Sequence, residues 1–197
     1  MSVLAFHSGP IAGPKGWVEG QALLVADGKI QGFVALDKIP KGAVDIDLDS
    51  DVLAAGFIDI QVNGGGGVLF NADPIVTTIA KIGTAHAAFG TTGFFPTLIS
   101  DSLEKIKLAI AAVDDAIAQG VPGVLGIHLE GPFLNEARKG VHDASTFRVL
   151  DDAAILLVSV AGDGGCCHVG FKSCFYRAVA DDDGGLIQIQ ELPAPPP

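Results

Sequence analysis

Cysteine is missing from the first 165 residues of this 197-residue chain, and the three cysteines present, Cys166, Cys167 and Cys174, lie within nine positions. A secreted disulfide framework spreads an even number of cysteines along the sequence, so this distribution argues against one and points to a reducing cytoplasm. Adjacent Cys166 and Cys167 also lack the C-x2-C spacing that closes a tetrahedral zinc site. Basic residues are scarce: 12 Lys and Arg stand against 23 Asp and Glu, a net charge of −11. Such a surface repels phosphate backbones, which argues against nucleic acid as a partner. No apolar run reaches the roughly 18 residues that span a bilayer, so no membrane segment is expected. No basic stretch leads into an apolar one near Met1, so no signal peptide is read. Charged residues make up only 18% of the chain and hydrophobic ones 49%, a composition that builds a core rather than a disordered polymer.

What is present changes character near residue 52. Before it, Val3–Phe6, Ala22–Ala26, Lys29–Leu36 and Val44–Leu48 are brief apolar or alternating runs separated by Gly, Pro and Asp. Asp27-Gly28 between two of them is a two-residue hairpin signal, since glycine tolerates the positive φ of a type I′ turn. The simplest reading is a small antiparallel β unit. After it, Val52–Val62, Thr92–Leu98 and Val124–Leu129 are apolar with little alternation, as strands buried on both faces of a parallel sheet should be. Helices are expected between them. One is capped by Asp73 with Pro74 in its first position and stops at Gly90. The other starts at Asp101 with Glu104 completing a capping box and ends at Gly120, its apolar positions Leu103, Ile106, Ile110, Val113 and Ile117 stepping by three and four. Strand and helix alternating with short links describe βαβ units of an α/β fold. Residues 158–197 do not continue the pattern and are expected to be an irregular tail.

Three segments sit where parallel strands should end, the edge at which α/β folds bind ligands. They are Asp59–Gly64, Phe95–Leu98 and His128–Phe133. Glu130 closes an otherwise apolar strand and needs a cation, a proton or donors if buried; a salt bridge or a loop cap would also satisfy it. His128 points to the same face and, by itself, reads as a hydrogen-bonded core histidine. His142, taken alone, fits a surface loop as well as a polar contact in the same mouth. His7 and His86 read as structural. The run Gly64–Gly67 is not a phosphate loop, because the spacing and the Lys-Ser/Thr pair are missing.

Together, Ala55–Gly67, Gly90–Thr97, His128-Leu-Glu-Gly-Pro-Phe-Leu-Asn135 and the following Arg138-Lys-Gly-Val-His142 resemble the N-acetylglucosamine-6-phosphate deacetylase family of amidohydrolases, over about residues 1 to 155. The resemblance implies a partial (β/α)8 TIM barrel over residues 55–157, preceded by a β-sandwich segment over 1–54. It implies metal-dependent hydrolysis of the acetamide of an amino-sugar phosphate, giving glucosamine 6-phosphate and acetate. Glu130 matches the family's metal-ligand glutamate. His142 matches the histidine that contacts the acetamide carbonyl, beside a backbone contact at Val141. Gln61 and Asn63 stand where many amidohydrolases carry His-x-His, so a substrate-facing pair and a single divalent metal, zinc or iron, are implied. The full-length family also implies a homo-oligomer. Two later histidines and an aspartate of the family have no match here, and the residues after 54 are too few for the roughly 250 of a whole barrel. A truncated, non-catalytic fragment is therefore the alternative; another amidohydrolase ranks behind it, since it would favour His-x-His at residues 61–63.

Overall fold

In the computed structural model the described residues are 2–149, 151, 152, 154, 166–170, 176–180 and 186–191. The chain divides into a unit ending at Ala55 and a second beginning at Gly56. In the first, strands β1 (Val3–His7), β4 (Gln21–Ala26), β5 (Lys29–Ala35) and β6 (Val44–Asp47) form one sheet in the order β5-β4-β1-β6, and β2 (Ile11–Gly13) and β3 (Gly16–Val18) form a separate hairpin. The β4–β5 turn is the expected one, with Asp27 at φ 52° and Gly28 at φ 71°. The unit is not purely antiparallel, because β6 pairs with β1 in parallel, Leu4 opposite Val44. A long connection after β5 makes that possible: a hairpin forces an antiparallel return, whereas Leu36–Ala43 is long enough to carry the chain back to the other end.

The second unit is built on a parallel sheet ordered β12-β11-β10-β7, from β7 (Phe57–Val62), β10 (Thr91–Ile99), β11 (Gly126–Glu130) and β12 (Cys166–Gly170). A small hairpin, β8 (Gly64–Gly65) with β9 (Val68–Leu69), follows β7. Helix α1 (Val76–Ala87) connects β7 to β10, and α2 (Leu103–Ala118) connects β10 to β11. The apolar stripe of α2, Ile106, Ile110 and Val113, packs with Ile79 and Ile82 of α1 against Phe94, Leu98, Ile127 and Leu129 of the sheet. β10 is buried over six consecutive positions, as a strand covered on both faces should be. Among the described residues no helix is long and apolar enough to cross a membrane.

Element ends differ from the sequence reading for identifiable reasons. The strand expected from Val52 starts at Phe57, and Leu53 makes only an isolated bridge to Ile11. Gly56 between them lies against Thr92, whose side chain occupies the space a Cβ would take. Helix α1 begins at Val76 behind an extended Ile75 (φ −130°, ψ 161°) with no side-chain cap, not at Asp73. The extended Ile75 interrupts the chain after Pro74, and its N–H donates to the Asp73 carbonyl at 3.0 Å in a turn that precedes the helix. For α2 the cap is Ser102, whose hydroxyl accepts from the Lys105 N–H at 3.2 Å. Asp101 instead accepts from the Ser102 N–H at 2.8 Å and pairs with Lys105 at 2.9 Å. The segment expected to be irregular contains β12, pairing in parallel with β11, and the antiparallel pair β13 (Tyr176–Ala180) and β14 (Leu186–Glu191). The period-two pattern Leu186-Ile-Gln-Ile-Gln190 is the strand signal that composition outweighed.

Candidate active site

Parallel strands bring their C-terminal ends to one edge of the sheet, and register decides which residues meet there. Ile99 at the end of β10 stands opposite Glu130 at the end of β11, and Pro96 opposite Val62 of β7. Gln61 and Glu130, 69 positions apart, thereby come into contact: Gln61 Nε2 donates to Glu130 Oε2 at 2.7 Å. Glu130 is 5% exposed, so its carboxyl has been taken out of water and depends on such donors. The second carboxyl oxygen, Oε1, lies 3.7 Å from His142 Nε2.

His142 is not a surface histidine. It is 4% exposed, brought in by a loop that two short 3-10 turns stiffen. Asn135 caps the turn Glu136–Arg138 by accepting from the Ala137 N–H, and Asp143 caps Ala144–Thr146 by accepting from the Ser145 N–H, each at 2.9 Å. The Ser145 N–H and hydroxyl also hold the Asp143 carboxyl below its ordinary value. The His142 N–H donates to the Lys139 carbonyl at 3.1 Å, and the ring tilts against Phe147 at 6.4 Å. On its other side, His142 Nδ1 meets the Ser100 hydroxyl at 2.8 Å and the Ser100 N–H at 3.3 Å.

Gln61, Asn63, Glu130 and Val141 line one cleft of about 310 Å³, together with Leu69, Asn71 and Ile99. Val141 is 88% exposed at its rim. His128 is buried and its Nδ1 lies 3.2 Å from the Thr97 hydroxyl, as a core histidine would be. His86 fastens the glycine hairpin to α1, Nε2 to the Gly64 carbonyl at 3.0 Å. His168 aligns with His128 in the β11–β12 register.

Two residues of this edge escaped the sequence reading. Asn71 acts as a surrogate strand end: its Nδ2 donates to the Ile99 carbonyl at 3.1 Å and its Oδ1 accepts from the Ile99 N–H at 2.9 Å. Ser100 holds His142. Neither carries a local motif, because each works through a partner 28 or 42 positions away. Beside them, burial would raise the Asp101 carboxyl, but the Lys105 ammonium, the Ser102 N–H and Asn71 together hold it below its ordinary value.

The donor set also says what the edge lacks. Among the described residues no group of three or more His, Cys, Asp or Glu is placed to hold a metal ion. Glu130 and His142 are two groups where stable zinc sites use three or four protein ligands.

A parallel α/β sheet with a buried carboxylate, amide donors and a histidine at its C-terminal edge, and no phosphate loop, fits the amidohydrolase type of hydrolase. The relatives of this chain are more particular than that. It is 46% identical to the N-acetylgalactosamine-6-phosphate deacetylase of Shewanella sp. (strain ANA-3) over 110 residues, 56% of this chain and 28% of that protein. It is 36% identical to the N-acetylglucosamine-6-phosphate deacetylase of Haemophilus influenzae over 121 residues, 61% of this chain and 32% of that one. Its structure matches that of N-acetylglucosamine-6-phosphate deacetylase from Pasteurella multocida with a TM-score of 0.78 and 33% identity, covering 83% of this chain and 43% of the other. No protein-family model matches the chain. The relatives are thus amino-sugar-phosphate deacetylases of the amidohydrolase superfamily, and this chain spans about a third of the length of the curated ones it matches.

Proposed function

We propose that this chain is the N-terminal portion of an N-acetylhexosamine-6-phosphate deacetylase working in the cytoplasm, and that residues 55–157 carry the first strands of its (β/α)8 barrel. The observation that carries the reading is the convergence of Gln61 and His142 on the Glu130 carboxyl, in a chain 46% identical over 110 residues to such a deacetylase. The strand order β7, β10, β11, β12 follows the chain without a reversal, which supports a singly wound barrel over a doubly wound sheet. The first unit then corresponds to part of a β-sandwich.

In this reading Glu130 is one ligand of a divalent ion, zinc or iron, and the described residues do not complete the site. Gln61 orients the carboxylate through the 2.7 Å hydrogen bond, as the outer partners of ligand side chains do. His142 donates a hydrogen bond to the acetamide carbonyl and strengthens it as charge develops on that oxygen. Val141, exposed at the rim, offers backbone groups to the sugar, and Asn63 a side-chain amide.

Acetate release tests this with two substrates, N-acetylglucosamine 6-phosphate and its galacto epimer, in the presence of zinc or ferrous iron. The isolated chain is expected to give no measurable turnover, since catalytic groups that act as a unit fail together. A chimera in which residues 2–149 replace the matching part of the Haemophilus relative is expected to release acetate, and His142→Ala in it to lower kcat. A folded chimera without turnover would overturn the proposal. Robust turnover by the isolated chain would overturn the incomplete ligand set.

A further inference from the structure

We propose that Ser100 is a positioning residue that locks His142 in the tautomer carrying its proton on Nε2. A backbone N–H only donates, and that of Ser100 faces His142 Nδ1 at 3.3 Å. A hydrogen on Nδ1 would oppose it, so Nδ1 presents its lone pair and the neutral ring keeps its proton on Nε2. The Ser100 hydroxyl, 2.8 Å from the same nitrogen, can turn either way and, beside an amide that makes Nδ1 the acceptor, takes the donor role without itself setting the preference. Both residues are buried, Ser100 at 6% and His142 at 4% exposure, so water does not dilute these contacts.

The surroundings are arranged to keep Ser100 in place. Asn71 takes both the N–H and the carbonyl of Ile99. The next amide, pointing to the opposite side of the extended chain, belongs to Ser100 and is left for the histidine. From the neighbouring strand end, Gly131 approaches at φ 104°, and a Cβ there would run into the Ser100 hydroxyl oxygen. Glycine at 131 therefore preserves the space in which the hydroxyl meets Nδ1. The outcome is a ring whose Nε2–H faces Glu130 Oε1 at 3.7 Å, longer than a hydrogen bond. Resting on the function proposed above, this is the tautomer needed to donate to an acetamide oxygen, and Ser100 supplies it without touching substrate.

The test is the tautomer itself, read on the whole chain with 15N-labelled histidine by long-range proton–nitrogen correlation at about pH 8, above the ordinary histidine range. His142 is expected to show one tautomer, protonated on Nε2. Ser100→Ala, which loses the hydroxyl but keeps the amide, is expected to remain protonated on Nε2. A ring protonated on Nδ1, in wild type or in Ser100→Ala, overturns the proposal. An Nε2–H ring in a chain whose chimera releases no acetate sustains this inference and defeats the deacetylase reading alone.

Discussion

Replacing Gln61 by leucine removes the donor that Glu130 Oε2 accepts at 2.7 Å and leaves the carboxylate 5% exposed with one partner fewer. A hydrogen bond to a charged group contributes about 1.5–3 kcal/mol when both partners are buried. Here the carboxylate is buried but Gln61 is exposed, so water can take over part of the lost donation, and the lower end applies. We expect Gln61→Leu to destabilise the chain by about 1.5 kcal/mol, slightly more than a tenfold change in the folding constant. The assay is urea unfolding followed by far-ultraviolet circular dichroism on four proteins: wild type, Gln61→Leu, Glu130→Leu and the double variant. In the Glu130→Leu background there is no carboxylate to desert, so Gln61→Leu is expected to cost little there. The resulting coupling is about 1 kcal/mol, well above the roughly 0.3–0.5 kcal/mol within which independent sites add. Coupling inside that band would show that the contact does not hold Glu130, and the proposed orientation of that carboxylate would fall with it.

Three further outcomes follow from the packing and the charges. Leu98→Ala empties a site 1% exposed near the C-terminal end of β10 and should cost about 2–5 kcal/mol in the same unfolding assay; a loss below about 1 kcal/mol would contradict the core assignment. The Asp101 carboxyl, which burial would raise, is held below the usual 3.8 by Lys105, the Ser102 N–H and Asn71. Its contribution is therefore full above pH 3.8 and lost as the pH falls through the lower folded value. Asp101→Asn should flatten the acid limb of the stability–pH curve below about pH 4, and an unchanged limb would refute the assignment. Among the described residues β7 is the last strand of its sheet, and it exposes Ile58 at 65% and Ile60 at 57%, an apolar surface that favours aggregation. The pair Ile58→Lys and Ile60→Lys should raise the soluble fraction after centrifugation, and no change would mean that another surface limits it.

Much of the architecture was legible in the sequence because local rules determine it. Asp27-Gly28 required a hairpin of one turn type, since few residues accept positive φ at both positions. The three- and four-residue steps from Leu103 to Ile117 required an amphipathic helix, and the helix buries that stripe. The apolar runs ending at Val62, Leu98 and Leu129 read as strands buried on both faces; β10 and β11 are buried, whereas β7 leaves Phe57, Ile58 and Ile60 exposed because no described layer covers them, and parallel connection sends the strand ends to one edge. Glu130 was conspicuous because a carboxylate at the end of such a strand demands a partner. Which partner it takes is a matter of register, and register lies beyond local sequence: only the pairing of β10 with β7 and β11 brings Gln61 to it across 69 positions. The same holds for the parallel β1–β6 pair, which no local signal distinguishes from an antiparallel one. His142 shows the division most plainly. Its neighbours read as an exposed loop, and Val141 beside it is indeed in solvent, yet the capped turns fold the ring into the sheet edge. There it meets the Ser100 amide and hydroxyl, donors supplied by the far end of another strand. Composition and periodicity determine which elements form; which polar atoms face one another depends on how those elements pack, because hydrogen bonds act over about 3 Å in space and not along the chain.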